Sequence, residues 1–518
     1  MDPMAPTSAP PARPPAGSAL RPPDRPHDPP DWTCPFCPLL CDGLPRPHVQ
    51  RSADGAATPG TSAGTSIATW AGIDCTRATA ALALQPVDVD HVSANPLVDG
   101  CAVGLESALD QAAALLRSAR QPLAAGLATD VAGARAMYRL QAACGAISDV
   151  AGGASVMAAL RALQDRGGFS TTLAELRSRA DCVLVLGRPP VDSAPRLFVR
   201  PAGALEAPDA LAPDAEAPDA AVLDAAVLDA VTPDGDTSQD DPPIAPLPPH
   251  RGALLACASG DAARCAALPG APCLDEVEPG GDLPALLAEL TVWVGGRRPA
   301  VVRPALQALA ERLRAARYAV LVLESKPWGE AAGLVVEAAN RLVAALNVRG
   351  RAALLSLGRG DGAATVNQVQ TWLSGLPVRS RAGADGLAHE PLAWDTGRLL
   401  APPDGGPAAV DALLWVSSFG VQPALPALPD DLPLIALQVP GAPVPDPATR
   451  RAPTIVIPVA SPGIGQGGHL VRTDGSVMLP LQALRADGLP TVAAVADALL
   501  ARLRPQWLPA ATTEVRHG

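Results

Sequence analysis

The sequence predicts an α/β protein: a small Cys-rich N-terminal module followed by two doubly wound, Rossmann-like domains. Three observations predict it. Helical runs alternate with short apolar runs along most of the chain, the pattern of βαβ units around a largely parallel sheet. Hydrophobic residues make up 48% of the chain and aromatics only 3%, so the core is built from Ala, Leu and Val, which suits α/β layers better than a β-sandwich. Ahead of these runs stand Cys34, Cys37, Cys41 and Cys75, spaced CxxCxxxC with a fourth thiol further on.

The 518 residues suffice for about three domains. Residues 1–30 are dense in Pro and read as an extended, disordered arm. The Cys module spans 31–95, and a first α/β domain spans 96–200, completed by about 400–490. In it, Leu105, Leu109, Ala112 and Leu116 share one helical face. Pro122 to Gly126 reads as a buried strand, and Ala132 to Cys144 as a helix that Gly145 ends. Ser155 to Gln164 is a further helix with Ser155 as a candidate cap, and Leu173 to Arg179 feeds the strand Cys182 to Gly187. Residues 201–250 carry eleven acidic residues, no Lys or Arg, and the near-repeat AVLDA-AVLDA at 221–230. Such a segment buries little and reads as a disordered insert.

A second α/β domain spans 251–399. Arg251 to Ala256 opens it, and Ala305 to Ala316 is a helix with Pro304 near its start. Then come the strand Ala319 to Leu323, the apolar helix Gly329 to Leu346 and the strand Ala352 to Gly358. Beyond residue 400, three strand-like runs recur at 412–416, 434–437 and 454–457, and a C-terminal helix and tail occupy 491–518. The glycine-rich run from Gly463 to Gly475 reads as a turn packed on the Cys module rather than a phosphate cradle, since no helix opens after it.

Composition excludes several classes of function. A net charge of −12 argues against a general nucleic-acid binder. No run approaches the roughly eighteen apolar residues of a membrane span, and the first thirty residues lack the apolar core of a secretory signal. The expectation is a cytoplasmic protein with reduced thiols. The seven His show no HxH or HExxH spacing, which leaves no mononuclear zinc hydrolase motif.

Four thiolates, three from one tight loop and one from a distant segment, suit the corners of a [4Fe–4S] cluster. Zinc also takes four Cys, but zinc ribbons usually bring two CxxC pairs and here the second pair is missing. Four unrelated buried thiols are the third reading. Trp32 and Phe36 either shield such a cluster or fill a small core. Two strand-end loops are candidates because doubly wound sheets bind ligands there. Lys326 follows one, as a pocket residue or a solvated Lys; Gly358 to Gly362 follows another, with the shape of an anion-binding turn but short of GxGxxG.

The order of these features resembles the B subunit of formylmethanofuran dehydrogenase, in the molybdopterin oxidoreductase superfamily. The resemblance rests on the CPFCxxLCD module, the runs Leu173–Asp181 and Thr371–Pro377, and the late Gly468–Gly475, and it covers about residues 31–490 except the acidic insert. It implies a [4Fe–4S] cluster on Cys34, Cys37, Cys41 and Cys75, and a molybdenum or tungsten pterin at which carbon dioxide is reduced to formate. It also implies a soft thiolate on that metal, just before the 155–164 helix, and a His in the loop after Gly187. The chain departs from both. Asp149 to Ser155 holds no Cys and Arg188 to Arg196 holds no His. Gly offers no side-chain atom to a metal. Gly152, Gly153, Gly358 and Gly360 are therefore read as a degenerate pterin pocket, with molybdopterin or tungstopterin absent.

That departure is more similar to the B subunit of the bacterial formyltransferase/hydrolase complex. There a formyl group moves from formyl-tetrahydromethanopterin to a methanofuran analogue and is hydrolysed to formate without redox chemistry. The resemblance implies a scaffold role in a one-carbon enzyme complex. The implied partners are three: an amidohydrolase-like A subunit, a C subunit, and the formyltransferase subunit. The family's C-terminal β-barrel is not expected in this chain. The alternative is a working Mo/W-pterin, [4Fe–4S] formylmethanofuran dehydrogenase subunit.

Overall fold

The computed structural model describes residues 32–51, 68–85, 95–199 and 251–503, apart from 325–327, 329–330, 359, 384–385, 403–404 and 421–423. The Pro-rich arm, the acidic insert, Lys326 and the end of the C-terminal tail lie outside the described residues. Two predominantly parallel sheets organise the chain. Strands joined by crossover helices are covered on both faces, so they read as continuous apolar runs. Pro122–Ala128, Cys182–Leu186, Ala412–Ser417, Leu434–Gln438 and Thr454–Pro458 are accordingly buried at every position.

The first sheet has seven strands in the spatial order Cys101–Ala102, Leu97–Val98, Thr454–Pro458, Leu434–Gln438, Ala412–Ser417, Pro122–Ala128 and Ile147–Ser148. At one edge Leu97–Val98 pairs antiparallel with both Cys101–Ala102 and Thr454–Pro458, and the other pairings are parallel. The second sheet is wholly parallel, in the order Arg351–Leu357, Tyr318–Glu324, Cys182–Leu186, Arg251–Leu255 and Cys273–Val277. Helices cover both layers. Leu109, Leu140 and Leu499 join Leu414 and Ile435 in one core, while Leu287, Leu309 and Leu342 join Leu184 and Leu321 in another.

The expected α/β class and the two Rossmann-like layers are observed, but the boundaries expected at 96–200 and 251–399 are not those of the sheets. Cys182–Leu186, expected in the first domain, pairs with strands on both sides inside the second sheet. Residues 363–400 return to the first layer: Val366 and Val369 enter its core and Leu399 and Leu400 its opposite face. The helix Val492–Leu503 is no separate tail, since Val495 and Leu499 complete the first core. An apolar run betrays a strand but not its neighbour, and this is the physical reason for the difference. The 155–164 helix also begins earlier, as Gly153–Arg166, with Gly152 rather than Ser155 at its N-cap.

The Cys loop lies between the layers. Trp32 and Leu44 exchange backbone hydrogen bonds at 2.9 and 3.1 Å, and the Cys34 N–H donates to the Cys41 carbonyl at 2.9 Å, closing the loop. Two successive leucines then face different cores. Leu39 joins the core of the second sheet with Val185 and Leu355, and Leu40 packs in a separate cluster with Ala128 and Phe419, at the ends of first-sheet strands, and with Leu470. Leu40 reaches that position with φ of 44°, a left-handed backbone that L-residues rarely adopt and that costs about 1–2 kcal/mol. Trp32, fully buried, donates its indole N–H to the Gly463 carbonyl at 2.9 Å. Replacing the Leu40 side chain leaves a void where the two layers meet. Leu40→Ala is expected to cost about 2–5 kcal/mol, measured as a lowered thermal midpoint with faster proteolysis of both layers.

Candidate functional site

Cys34 and Cys37 are buried, and Cys41 and Cys75 are partly exposed. Cys75 occupies the position before the helix Thr76–Ala83. The Cys37 thiol donates to the Cys41 sulfur. That bond, with burial, holds the proton on Cys37 well above the ordinary thiol range. The same bond brings Cys41 down to about 7, with Arg177 and Arg196 close by. Burial raises Cys34 as well, and the charges of Cys41 and Cys75 reach it. The thiols thus share one electrostatic neighbourhood. Among the described residues, no three His, Cys, Asp or Glu side chains converge tightly enough for a single metal ion.

Arginines brace this neighbourhood. Arg77 Nε donates to the Phe36 carbonyl at 2.7 Å, between two of the cysteines, and its guanidinium stands 3.8 Å from Asp361. Arg196 donates to the Asp74 carbonyl at 3.0 Å, the residue before Cys75. Arg177 donates to the carbonyls of Leu197 and Arg196 at 3.0 and 3.1 Å. Trp32 and Phe36 lie with ring centroids 6.4 Å apart, in one buried cluster with Cys34 and Ile464.

Gly358 and Gly360 belong to this neighbourhood as packing residues. The Gly358 N–H donates to Thr473 Oγ1 at 2.9 Å, and a Cβ on Gly360 would stand 2.8 Å from the Cys37 Cα. No other residue permits so close an approach of two backbones. The run from Gly468 to Gly475 straps the same region. Thr473 N–H donates to the Pro38 carbonyl at 3.1 Å, and Asp474 accepts from the Leu173 N–H at 2.9 Å and pairs with Arg472 at 3.1 Å. Burial pushes the Asp474 carboxyl up, but the Leu173, Arg472 and Ser476 hydrogen bonds outweigh it and hold the group below its ordinary value. Beside the loop a cavity of about 360 Å³ opens, lined by Phe36, Arg77, Leu84, Asp361 and Phe419.

Gly152 and Gly153 sit elsewhere, after the Ile147–Ser148 strand, and their surroundings hold a network that sequence reasoning does not reveal. Asp149 and Arg379, both almost fully buried, pair at 3.2 Å. Asp149 also accepts from the N–H and hydroxyl of Thr396, at 2.9 and 2.8 Å. Arg379 donates to the Pro391 carbonyl at 2.6 Å and to Asp395. A Cβ on Gly153 would meet Asp149 Oδ1 at 2.1 Å and Arg379 Nη2 at 3.2 Å. Asp149 lies in the run where the resemblance places a thiolate, but its partner is 230 residues away and carries no local signal. After Gly187, the loop holds Asp192 paired with Arg188 and Arg264, and the Trp328 ring lies 2.2 Å from where a Gly187 Cβ would be.

Two interleaved, doubly wound α/β layers, with a three-cysteine loop between them and Cys75 nearby, define a Rossmann-like protein. No family model matches the sequence. The chain is 29% identical over 413 residues to the B subunit of the formyltransferase/hydrolase complex Fhc of Methylorubrum extorquens, covering 79% of this chain and 97% of that protein. The crystal structure of that complex, FhcABCD with methylofuran, superposes with a TM-score of 0.58 at 27% identity, over 79% of this chain and 98% of the matched one. Similarity to this relative thus extends over nearly its whole length, as the sequence resemblance implied. Among the described residues no helix is long and apolar enough to cross a membrane.

Two outcomes follow from this geometry. Arg379→Met leaves Asp149 buried without its counter-charge and is expected to cost about 3–5 kcal/mol, read as a fall in thermal midpoint. The depressed Asp474 carboxyl contributes stability above the unfolded carboxylate value of about 4, and loses it as pH falls through its folded value. Asp474→Asn removes that contribution, so thermal midpoints of wild type and variant differ at neutral pH and converge on acidification.

Proposed function

We propose that this chain is the B-type subunit of a cytoplasmic one-carbon complex, a scaffold that performs no redox step of its own. The complex moves a formyl group from formyl-tetrahydromethanopterin to a methanofuran analogue and releases it as formate. That chemistry falls to the other chains: an amidohydrolase-like A subunit, a C subunit, and the formyltransferase subunit. The similarity to the Fhc relative supports the assignment to the complex.

The scaffold reading is carried by one observation. A pterin-bound molybdenum or tungsten needs a soft donor beside Gly152 and Gly153, and there the space a side chain would use is taken by the Asp149 carboxylate and the Arg379 guanidinium. A guanidinium repels a metal cation and a carboxylate already paired has little to offer it. The residues present do not fit the pterin metal. Trp328 over Gly187, and Gly360 against Cys37, add packing where the family's pocket would open.

The Cys module fits its group better. Cys34, Cys37, Cys41 and Cys75 are four soft donors in one neighbourhood, covered by Trp32 and Phe36. Arg77, Arg177 and Arg196 supply positive charge, which suits the net negative charge of a thiolate-ligated [4Fe–4S] cluster. Such a cluster, when bound, carries one electron at a time. This chain's own residues hold the loop shut, keep water from Cys34 and Cys37, and balance charge.

The intact cysteines also favour a second reading, an active Mo/W-pterin formylmethanofuran dehydrogenase subunit. Metal analysis of the purified native complex separates the two. The scaffold reading expects about four iron per chain with molybdenum and tungsten far below stoichiometry, no viologen-linked formate oxidation, and loss of the visible cluster absorbance in Cys37→Ser. Stoichiometric pterin metal, with formate oxidation, overturns it.

A further inference from the structure

We propose that Cys75 and the three loop cysteines, by holding one cluster between them, form a structural cross-link that fastens the helix Thr76–Ala83 to the loop between the two layers. The cross-link rests on the reading of these thiols as [4Fe–4S] ligands. It gives the cluster a role that survives where the pterin metal has no seat, since Asp149 and Arg379 fill that space.

The size of the module calls for a staple. Its described residues, 32–51 and 68–85, make one antiparallel ribbon, His48–Arg51 with Ala68–Ala71, and one helix of eight residues. A helix that short does not persist alone in water. The core behind it is small: Trp32, Cys34, Phe36, Ala78 and Leu82, with Ile464 supplied by the strap. Below about 70 residues one such core seldom suffices, and disulfides or a structural metal supply the rest. All four cysteines are free thiols, so no disulfide does so here.

The four donors stand where a staple acts. Cys34, Cys37 and Cys41 belong to a loop that is already fixed: Thr473 N–H donates to the Pro38 carbonyl, and the Gly360 backbone packs on Cys37. Cys75 belongs to another element. It precedes the helix Thr76–Ala83, its side chain makes no capping hydrogen bond, and its charge reaches Cys34. Three hydrogen bonds aim this element at its surroundings without locking it. Arg77 donates to the Phe36 carbonyl at 2.7 Å, Arg196 to the Asp74 carbonyl at 3.0 Å, and Gln85, just beyond the helix, to the Phe419 carbonyl at 2.9 Å. Net contributions of such bonds are modest. A ligand bond from Cys75 joins the helix to the loop, and through Leu39 and Leu40 to the packing of both layers.

Amide hydrogen exchange in the native complex, purified without oxygen and assayed for iron, tests it. Removing the iron from the wild-type complex with a ferrous chelator is expected to speed exchange of the helix Thr76–Ala83 by about tenfold or more. Cys75→Ala in the iron-loaded complex is expected to do the same. In iron-free protein Cys75→Ala should change that exchange by less than about twofold, which separates a ligand from a thiol that merely packs. Stoichiometric iron whose removal leaves the helix exchange unchanged overturns the cross-link and leaves the cluster reading standing. So does an equal effect of Cys75→Ala with and without iron. A native complex without iron overturns the cluster reading and the cross-link with it.

Discussion

A wedge joins the two α/β layers, the loop from Cys34 to Cys41 held between them. Leu39 and Leu40 are adjacent in sequence yet enter different cores, and the left-handed backbone at Leu40 makes this possible. Each layer has its own core and its own sheet, and the helix Gly153–Arg166 reaches both, with Met157 in the first core and Ala162 in the second. The strap from Gly463 to Asp474 closes over the wedge through Trp32, Pro38, Gly358 and Leu173. Each contact joins segments more than a hundred residues apart. That explains why the cysteine spacing, the glycines after the Arg351–Leu357 strand and the late Gly-His-Leu-Val-Arg-Thr-Asp-Gly run belong together: they are faces of one contact.

What can be read from the sequence follows from how local its cause is. Strands buried on both faces announce themselves as unbroken apolar runs, so Cys182–Leu186, Ala412–Ser417 and Thr454–Pro458 are legible. Gly145 at the end of its helix is legible because a left-handed C-cap favours glycine. The partner of a strand is not local. Cys182–Leu186 has no residue that states whether it joins Pro122–Ala128 or Tyr318–Glu324, and there the expected domain boundaries depart from the sheets. The cysteine loop is visible through its spacing, whereas the packing role of Gly360 is not, because only the position of Cys37 requires it.

The Asp149–Arg379 pair is the least legible feature, because its two residues lie 230 positions apart. Desolvating two charges costs several kcal/mol each, and their mutual attraction with added hydrogen bonds roughly repays it. Net stability is therefore a poor reason for the pair. What it supplies is position. Thr396, Asp395 and the Pro391 carbonyl all converge on it, so the excursion from Arg379 to Leu400 is pinned to the end of the Ile147–Ser148 strand.

On the scaffold reading, this pinning also explains why the site is not merely short of a ligand. A side chain at Gly153 would have to displace the Asp149 carboxylate, and displacing it leaves the Arg379 guanidinium with Asp395 as its remaining counter-charge. A single substitution placing a thiolate at Gly153 would therefore have to break the Asp149–Arg379 pair and the Thr396 hydrogen bonds to Asp149. Arg379 and Asp395 also line the cleft between the helices Gly153–Arg166 and Ala332–Leu346, so the same pinned segment sets one of its walls.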